Sequence, residues 1–478
     1  MAHSTPRTSS TPLLSTFFGL LAAYRPVVSQ ERVFVRLAQL SIGSLVSLGR
    51  HTISQMLVAL GVGDDDWSAW YRLFNRRRID PSRLQELLVE QAVAVIPVET
   101  AAIVVGVDGT QLPRSTKTMP GSGLTVSPRS PKWQRGLHFA QRFVCISLLL
   151  PRSLLGDSRA VPLKSLLLRS GKTTPMGAEP ERTESQGAVA LITWVRERLD
   201  ALGRTDQLLV VLGDGAYSNA GVLTGLPERV MLFARCAKNR ALFALPEYRR
   251  TGKGRQRRYG ERGLTPQETL HTQGGWHDHT FMVRGRAITV TVKLTGPWLV
   301  KPAYLHPVML VVVKGVDRGK GTTRRQRDPQ SFLASVRMTA EDEWELAVPL
   351  SDLLAWAWQR WEVEVMHREL KSGFGLGEQQ AFSDAGAATV IPWMLWVYAL
   401  LVLTGYVTWQ LGPGSVPDVG RWWKPRRWSF AKLWQGVRQE IWQVGEFQPV
   451  WQRTPDTWTE ITAWVTTHTN ATIGFRRL

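Results

Sequence analysis

The chain is poor in cysteine, with two among 478 residues, Cys145 and Cys236. Neither sits in a CxxC pair or beside a ligand-spaced histidine. That argues against a disulfide framework and a thiolate zinc site, and it fits a reducing cytosol. Acid is scarce relative to base: 39 Asp and Glu stand against 59 Lys and Arg, for a net charge of +20. Such an excess points to a polyanionic partner, most often nucleic acid. The plainer alternative is a well-solvated basic surface, but the basic residues cluster in loops, which favours the first. Long apolar runs are few. "PLLSTFFGLLAAYRPV" resembles a weak signal core, yet only Arg7 precedes it and no clear small-x-small cleavage site follows. "AATVIPWMLWVYALLVLTGYV", residues 387–407, is long enough to cross a bilayer. Pro392 interrupts it and Gly405 falls near its end, so the expectation is a buried core helix and no membrane.

Residues 1–98 read as a Ser/Thr/Pro-rich start followed by a helical domain. Thr52 or Ser54 is placed to cap a helix that ends at Gly61 and Gly63, and Asp64–Asp66 suit the start of the next. "RLFNRRR" then presents Arg76, Arg77 and Arg78. They belong either to a DNA reader of the helix-turn-helix kind, holding phosphates, or to an ordinary bundle with a solvated basic edge. The sequence leaves both open. From about residue 101, strands come first, then helix and strand in alternation, which is the α/β signature. We assign 99–243 to the first part of this core. Residues 244–350, with two basic loops and strand-like segments, read as a β-rich insertion. Residues 351–412 return to the core. Residues 413–478 are Trp- and Arg-rich, and Phe430, Leu433, Trp434, Val437 and Ile441 fall at helical spacing as a core stripe or a dimer seam.

Two strands each end in an isolated Asp followed by Gly: "VVGVDGT" brings Asp108 and "VVLGDGAY" brings Asp214. In open α/β sheets the functional groups lie outside the strand ends. Neighbouring carboxylates there repel unless a cation sits between them, and Mg²⁺, hard and oxygen-seeking, is the natural choice. A pair of such ions clamps a phosphodiester for in-line displacement. The helix from 351 to 373 offers a third acid. Arg360, Glu364, His367 and Lys371 share one face beside an apolar face of Val363, Met366 and Leu370, whereas Glu362 and Glu369 fall on faces expected to be solvated. An ordinary ion-pair ladder is the alternative for that face.

The spacing Arg360-x3-Glu364-x6-Lys371 within "QRWEVEVMHRELKSG" resembles the Y-x2-R-x3-E-x6-K signature of IS4-type DDE transposases of bacterial insertion sequences. "VVGVDGT" and "GDGAYSN" resemble the first and second Asp motifs of that group, and "GRQRRYGERG" is similar to a basic loop of its IS701-like branch. The resemblance covers about residues 100–410. It departs at the signature tyrosine, where Ala357 stands between Trp356 and Trp358. It implies an RNase H-like catalytic core with an inserted β domain, behind an all-α N-terminal domain. It implies cut-and-paste transposition by two Mg²⁺ ions, with Mn²⁺ able to substitute, in the cytoplasm on nucleoid DNA. The metal triad is then Asp108, Asp214 and Glu364, with Arg360 and Lys371 on phosphate. The partners are terminal inverted repeats, target DNA and a second copy of the chain.

Further candidate DNA contacts are Tyr217, Lys238 and Arg240. Tyr217 and Asn219 serve equally to close a strand-to-helix turn, and Lys238 and Arg240 to solvate a loop. Trp298 reads as a core residue before a base-stacking one. His367 is at most a phosphate or water contact, because a hard-ion site rarely takes imidazole. Two other functions remain in view: a catalytically silent, domesticated DNA-binding protein, and a nuclease of the same fold without strand transfer.

Overall fold

A computed structural model describes residues 11–63, 65–76, 78–128, 130–131, 133–151, 158–168, 182–246, 257–283, 285–315, 328–410, 412, 414 and 428–443. Arg77, most of both basic loops and residues 444–478 lie outside these.

Five helices lead: α1 (Pro12–Ala22), α2 (Glu31–Val46), α3 (Ile53–Ala59), α4 (Ser68–Asn75) and α5 (Pro81–Ala94). Their starts follow from local chemistry. The Thr52 side chain accepts from the Gln55 N–H at the head of α3, and Asp80 accepts from the Ser82 N–H with Pro81 at the first position of α5. Then come β1 (Ala102–Pro113), β2 (Ser122–Val126), β3 (Leu137–Leu149) and β4 (Ala160–Leu168). These are followed by α6 (Glu184–Ala201), β5 (Leu208–Gly213), α7 (Ala220–Leu223) and β6 (Val230–Arg235). After α8 (Pro266–Leu270), the strands β7 (His277–Val283), β8 (Arg286–Val300), β9 (Ala303–Val313) and β10 (Gln330–Ser335) follow, with a small pair β11 (Arg337–Met338) and β12 (Trp344–Glu345). The chain closes with α9 (Leu350–Gln359), α10 (Trp361–Arg368), a π turn over Glu369–Gly373, α11 (Asp384–Trp409) and α12 (Phe430–Gln443).

Ten of the described strands form one mixed sheet, ordered β2-β3-β1-β5-β6-β10-β9-β8-β7, with β4 on β3. β1 is central and buried on both faces from Ala102 to Val107, as its unbroken β-branched run requires. It pairs antiparallel with β3 and parallel with β5, and β5 pairs parallel with β6. This mixed α/β arrangement is consistent with an RNase H-like core. Among the described residues the long strands of the β-rich segment do not form a sheet of their own: β10 pairs with β6, so β7 to β10 prolong the central sheet, and only the short β11–β12 pair stands apart.

α10 lies on the face to which Gly106 and Asp108 point, and α6 lies on the other, against Val144 and Gly109. α11 is the apolar run at 387–407. Nineteen of its residues are buried, packed by α1, α4, α5, α12 and β4. It is long and apolar enough to cross a membrane, and it is mostly buried inside the protein. The N-terminal helices therefore share a continuous core with the sheet. The stripe on α12 is likewise internal, with Leu433, Val437 and Ile441 fully buried.

Candidate active site

β1 and β5 run side by side, with Gly106 opposite Leu212. Two residues further on stand Asp108 and Asp214; β5 ends at Gly213, but β1 runs on past Asp108 to Pro113 along β3, so the strand end expected at Asp108 is only the place where the β1–β5 pairing stops. The third segment arrives by close packing. A Cβ on Gly106 would lie 2.6 Å from Cγ2 of Val363, so α10 rests directly on the β1 backbone there. That contact brings Glu364, the next residue, to the neighbourhood of Asp108.

Burial pushes the Asp108 carboxyl up to about 6; the Arg360 guanidinium pulls it down, and the charges of Asp214 and Glu364 push it further up. Three acids distant in sequence thus act on one another. The Asp214 carboxylate accepts from the Ala216 N–H at 2.8 Å. Glu364 is held by Arg360, whose Nη2 lies 2.6 Å from Oε1. Among the described residues no three His, Cys, Asp or Glu side chains converge into a finished ion cage. The donors are nevertheless carboxylate oxygens around a destabilised central acid, a set that fits a hard divalent cation.

His367 Nε2 lies 3.7 Å from Asp108 Oδ2. Burial lowers its pKa to about 3, aided by Lys371, so the imidazole is neutral and the contact is no ion pair. Lys371 itself is exposed on the π turn, which breaks the helical spacing expected to align it with Glu364.

Glu362 and Glu369 were expected to be solvated and are not. Glu362 is 2 % exposed and pairs with buried Arg159 at 3.4 Å, and the Tyr398 hydroxyl donates to Glu369 at 2.7 Å. Burial raises the Glu369 pKa. The reason is that α10 is covered from behind as well as from the sheet: Arg159 also donates to the Trp428 carbonyl and stacks on its ring at 4.6 Å. The periodicity of one helix cannot reveal a second packed face.

Tyr217 also departs from expectation. It is 2 % exposed and its hydroxyl donates to Glu184 at 2.9 Å, so it faces the interior rather than bound DNA. Asn219 caps α7, which is the turn role weighed for it. Arg240 donates to the Ser218 carbonyl and hydroxyl, bracing the loop after Asp214. Lys238 is exposed just beyond β6. Arg76 and Arg78 follow α4, whose buried side packs on α11, with Phe74 against Trp393 at 5.2 Å. Trp298 is a packing residue: its ring sits on Gly263 and its Nε1–H donates to Thr295. Ala357, at the signature tyrosine position, lines a cavity of about 320 Å³ with Arg235, Trp358, Trp361 and Glu364.

Glu184 was missed. It opens α6, with its carboxylate against Gly109 of β1. An acid in its first turn was the available signal.

Comparison with known proteins gives one family. The model described as DDE superfamily endonuclease matches residues 27–295, more than half of the chain, including Asp108 and Asp214 and ending before Glu364. No curated protein matches. The chain belongs to the DDE superfamily endonuclease family, in which DNA is the substrate and divalent metal the usual cofactor.

Proposed function

We propose that this protein is a DNA transposase of the IS4 type, which cuts at the ends of its element and joins them to target DNA. The observation that carries the reading is the pairing of β1 with β5 two residues before Asp108 and Asp214, with α10 packed on Gly106 so that Glu364 follows the contact residue Val363. Asp108 and Asp214 would hold the divalent ions, Mg²⁺ or Mn²⁺, with Glu364 completing the set. When bound, these ions supply charge stabilisation at the phosphate in transfer and acidify the attacking water or 3′-hydroxyl. β1 and β5 act as rigid mounts that keep the carboxylates in place. Arg360, released from Glu364, turns to the scissile phosphate, and exposed Lys371 and Lys238 grip the backbone on either side. Two element ends must be cut together, so a homodimer on DNA is the working form, with Arg76, Arg77 and Arg78 on the flanking duplex.

The test is nicking and joining of the element's own terminal inverted repeats in Mg²⁺. Asp108→Ala, Asp214→Ala or Glu364→Ala is expected to lower cleavage by at least about 10³-fold while end binding persists. Retained cleavage in Asp214→Ala contradicts the assignment. The family description, endonuclease, favours a second reading without strand transfer. Cleaved but never joined products in the same assay would select it.

A further inference from the structure

Glu184 is the first residue of α6, beside Gly109 of β1 and Tyr217 of the loop after β5. A helix start often carries an acid for the dipole alone. Here the cap is already complete, because Thr183 and Gln186 form a reciprocal capping box. The Glu184 carboxylate is aimed elsewhere. Its Oε1 accepts from the Tyr217 hydroxyl at 2.9 Å and its Oε2 from Arg142 Nη2 at 3.0 Å. A Cβ on Gly109 would lie 2.5 Å from Oε1, so the carboxylate rests on the β1 backbone one residue beyond Asp108. The Tyr217 hydroxyl feels Glu184, Asp108 and Asp214 together. Glu184 and Glu364 therefore bracket Asp108 from opposite faces of the sheet. Each is held by an arginine, Arg142 at 3.0 Å and Arg360 at 2.6 Å.

A second observation points to a ligand beside Asp108. His367 is 8 % exposed, neither ring nitrogen has a hydrogen-bond partner, and Nε2 faces Asp108. A buried polar group left unsatisfied calls for an explanation such as an ion or water at that place.

We propose that Glu184 is a fourth carboxylate of the divalent-cation site, reaching it from the α6 face, with Arg142 as the counter-ion that holds it when no cation is bound. The inference rests on the metal reading above. Two guanidinium groups then occupy the charge positions that cations take over, and cation binding frees both arginines.

The experiment is Mn²⁺ binding to the full chain without DNA, read from the electron paramagnetic resonance signal of free Mn²⁺. Glu184→Gln is expected to weaken binding by about tenfold or more, as Asp214→Asn does. Arg142→Ala removes the competitor, so it binds Mn²⁺ as tightly as the parent or more so. Tyr217→Phe stays within about threefold. Unchanged affinity in Glu184→Gln overturns the proposal. So does an Arg142→Ala protein weakened as much as Glu184→Gln, since Glu184 would then be half of a structural ion pair. Should Glu184→Gln fail to fold, the sign of the Arg142→Ala effect decides alone. A parent chain with no saturable Mn²⁺ site overturns the metal reading itself, which is a different result from an indifferent Glu184.

Discussion

Asp108 is the residue on which the electrostatics of the site turn. Its folded pKa, about 6, lies above the ordinary carboxylate value of 3.8. The folded state therefore holds the proton more tightly. Below about pH 4 the group is protonated in both states and costs nothing. Between about 4 and 6 stability falls as pH rises, and above 6 the full cost, on the order of 3 kcal/mol, is present. His367 acts in the opposite sense, because a base with its pKa lowered to about 3 destabilises the fold as pH drops below 6.5. Comparing Asp108→Asn with the parent isolates the acid. In chelator, urea denaturation at about pH 7.5 is expected to show the variant more stable, by up to about 3 kcal/mol, and near pH 4 the two equal. A variant no more stable than the parent at neutral pH contradicts the account of Asp108 as a carboxylate kept at a cost.

At the scale of elements, the contact that matters is α10 on β1. Gly106 is not needed for a positive φ; it is needed because Val363 occupies the space of its side chain. Gly106→Ala must push α10 outward by a methyl group. It is expected to cost about 1–3 kcal/mol of stability. Cleavage should fall by up to about 100-fold, since a displacement near 1 Å at a catalytic group has that effect. Adding Val363→Ala returns the space, so the double variant is expected to recover most of the lost activity. Additive losses in the pair, measured as a double-mutant cycle, would show that the close approach does not set the position of Glu364.

The same contact explains what was legible in the sequence. The apolar runs before the two Asp-Gly pairs announced β1 and β5, but only Asp214 follows a strand end: β1 runs on past Asp108 to Pro113, because β3 continues to pair with it. The Val363, Met366, Leu370 stripe announced a packed helix. The second covered side of that helix, with Arg159 and Glu362 inside, was not legible, because the partner segments are hundreds of residues away. Nor was the buried direction of Tyr217, which is set by Glu184. Strand content in 279–316 could be read, but β10 and its pairing to β6 were not, since pairing partners leave no mark on single-strand periodicity.

At the scale of the molecule, a chain of net charge +20 concentrates a handful of acids around Asp108. The surplus of base draws a polyanion toward them. Left alone, the acids would repel it. A divalent cation reconciles the two, and the arginines on Glu364 and Glu184 stand in until it arrives. The long apolar α11 belongs to the same economy of form: by filling the centre of the molecule, it ties the N-terminal helices to the sheet and backs the segment that carries Glu364. The most direct measurement is anomalous diffraction from crystals of the protein grown with Mn²⁺. The account predicts a manganese peak between β1 and the end of β5, about 2.2 Å from carboxylate oxygens of Asp108 and Asp214, with the Glu364 side chain turned from Arg360 toward it. A peak elsewhere, or none at saturating Mn²⁺ with Glu364 still on Arg360, would contradict it.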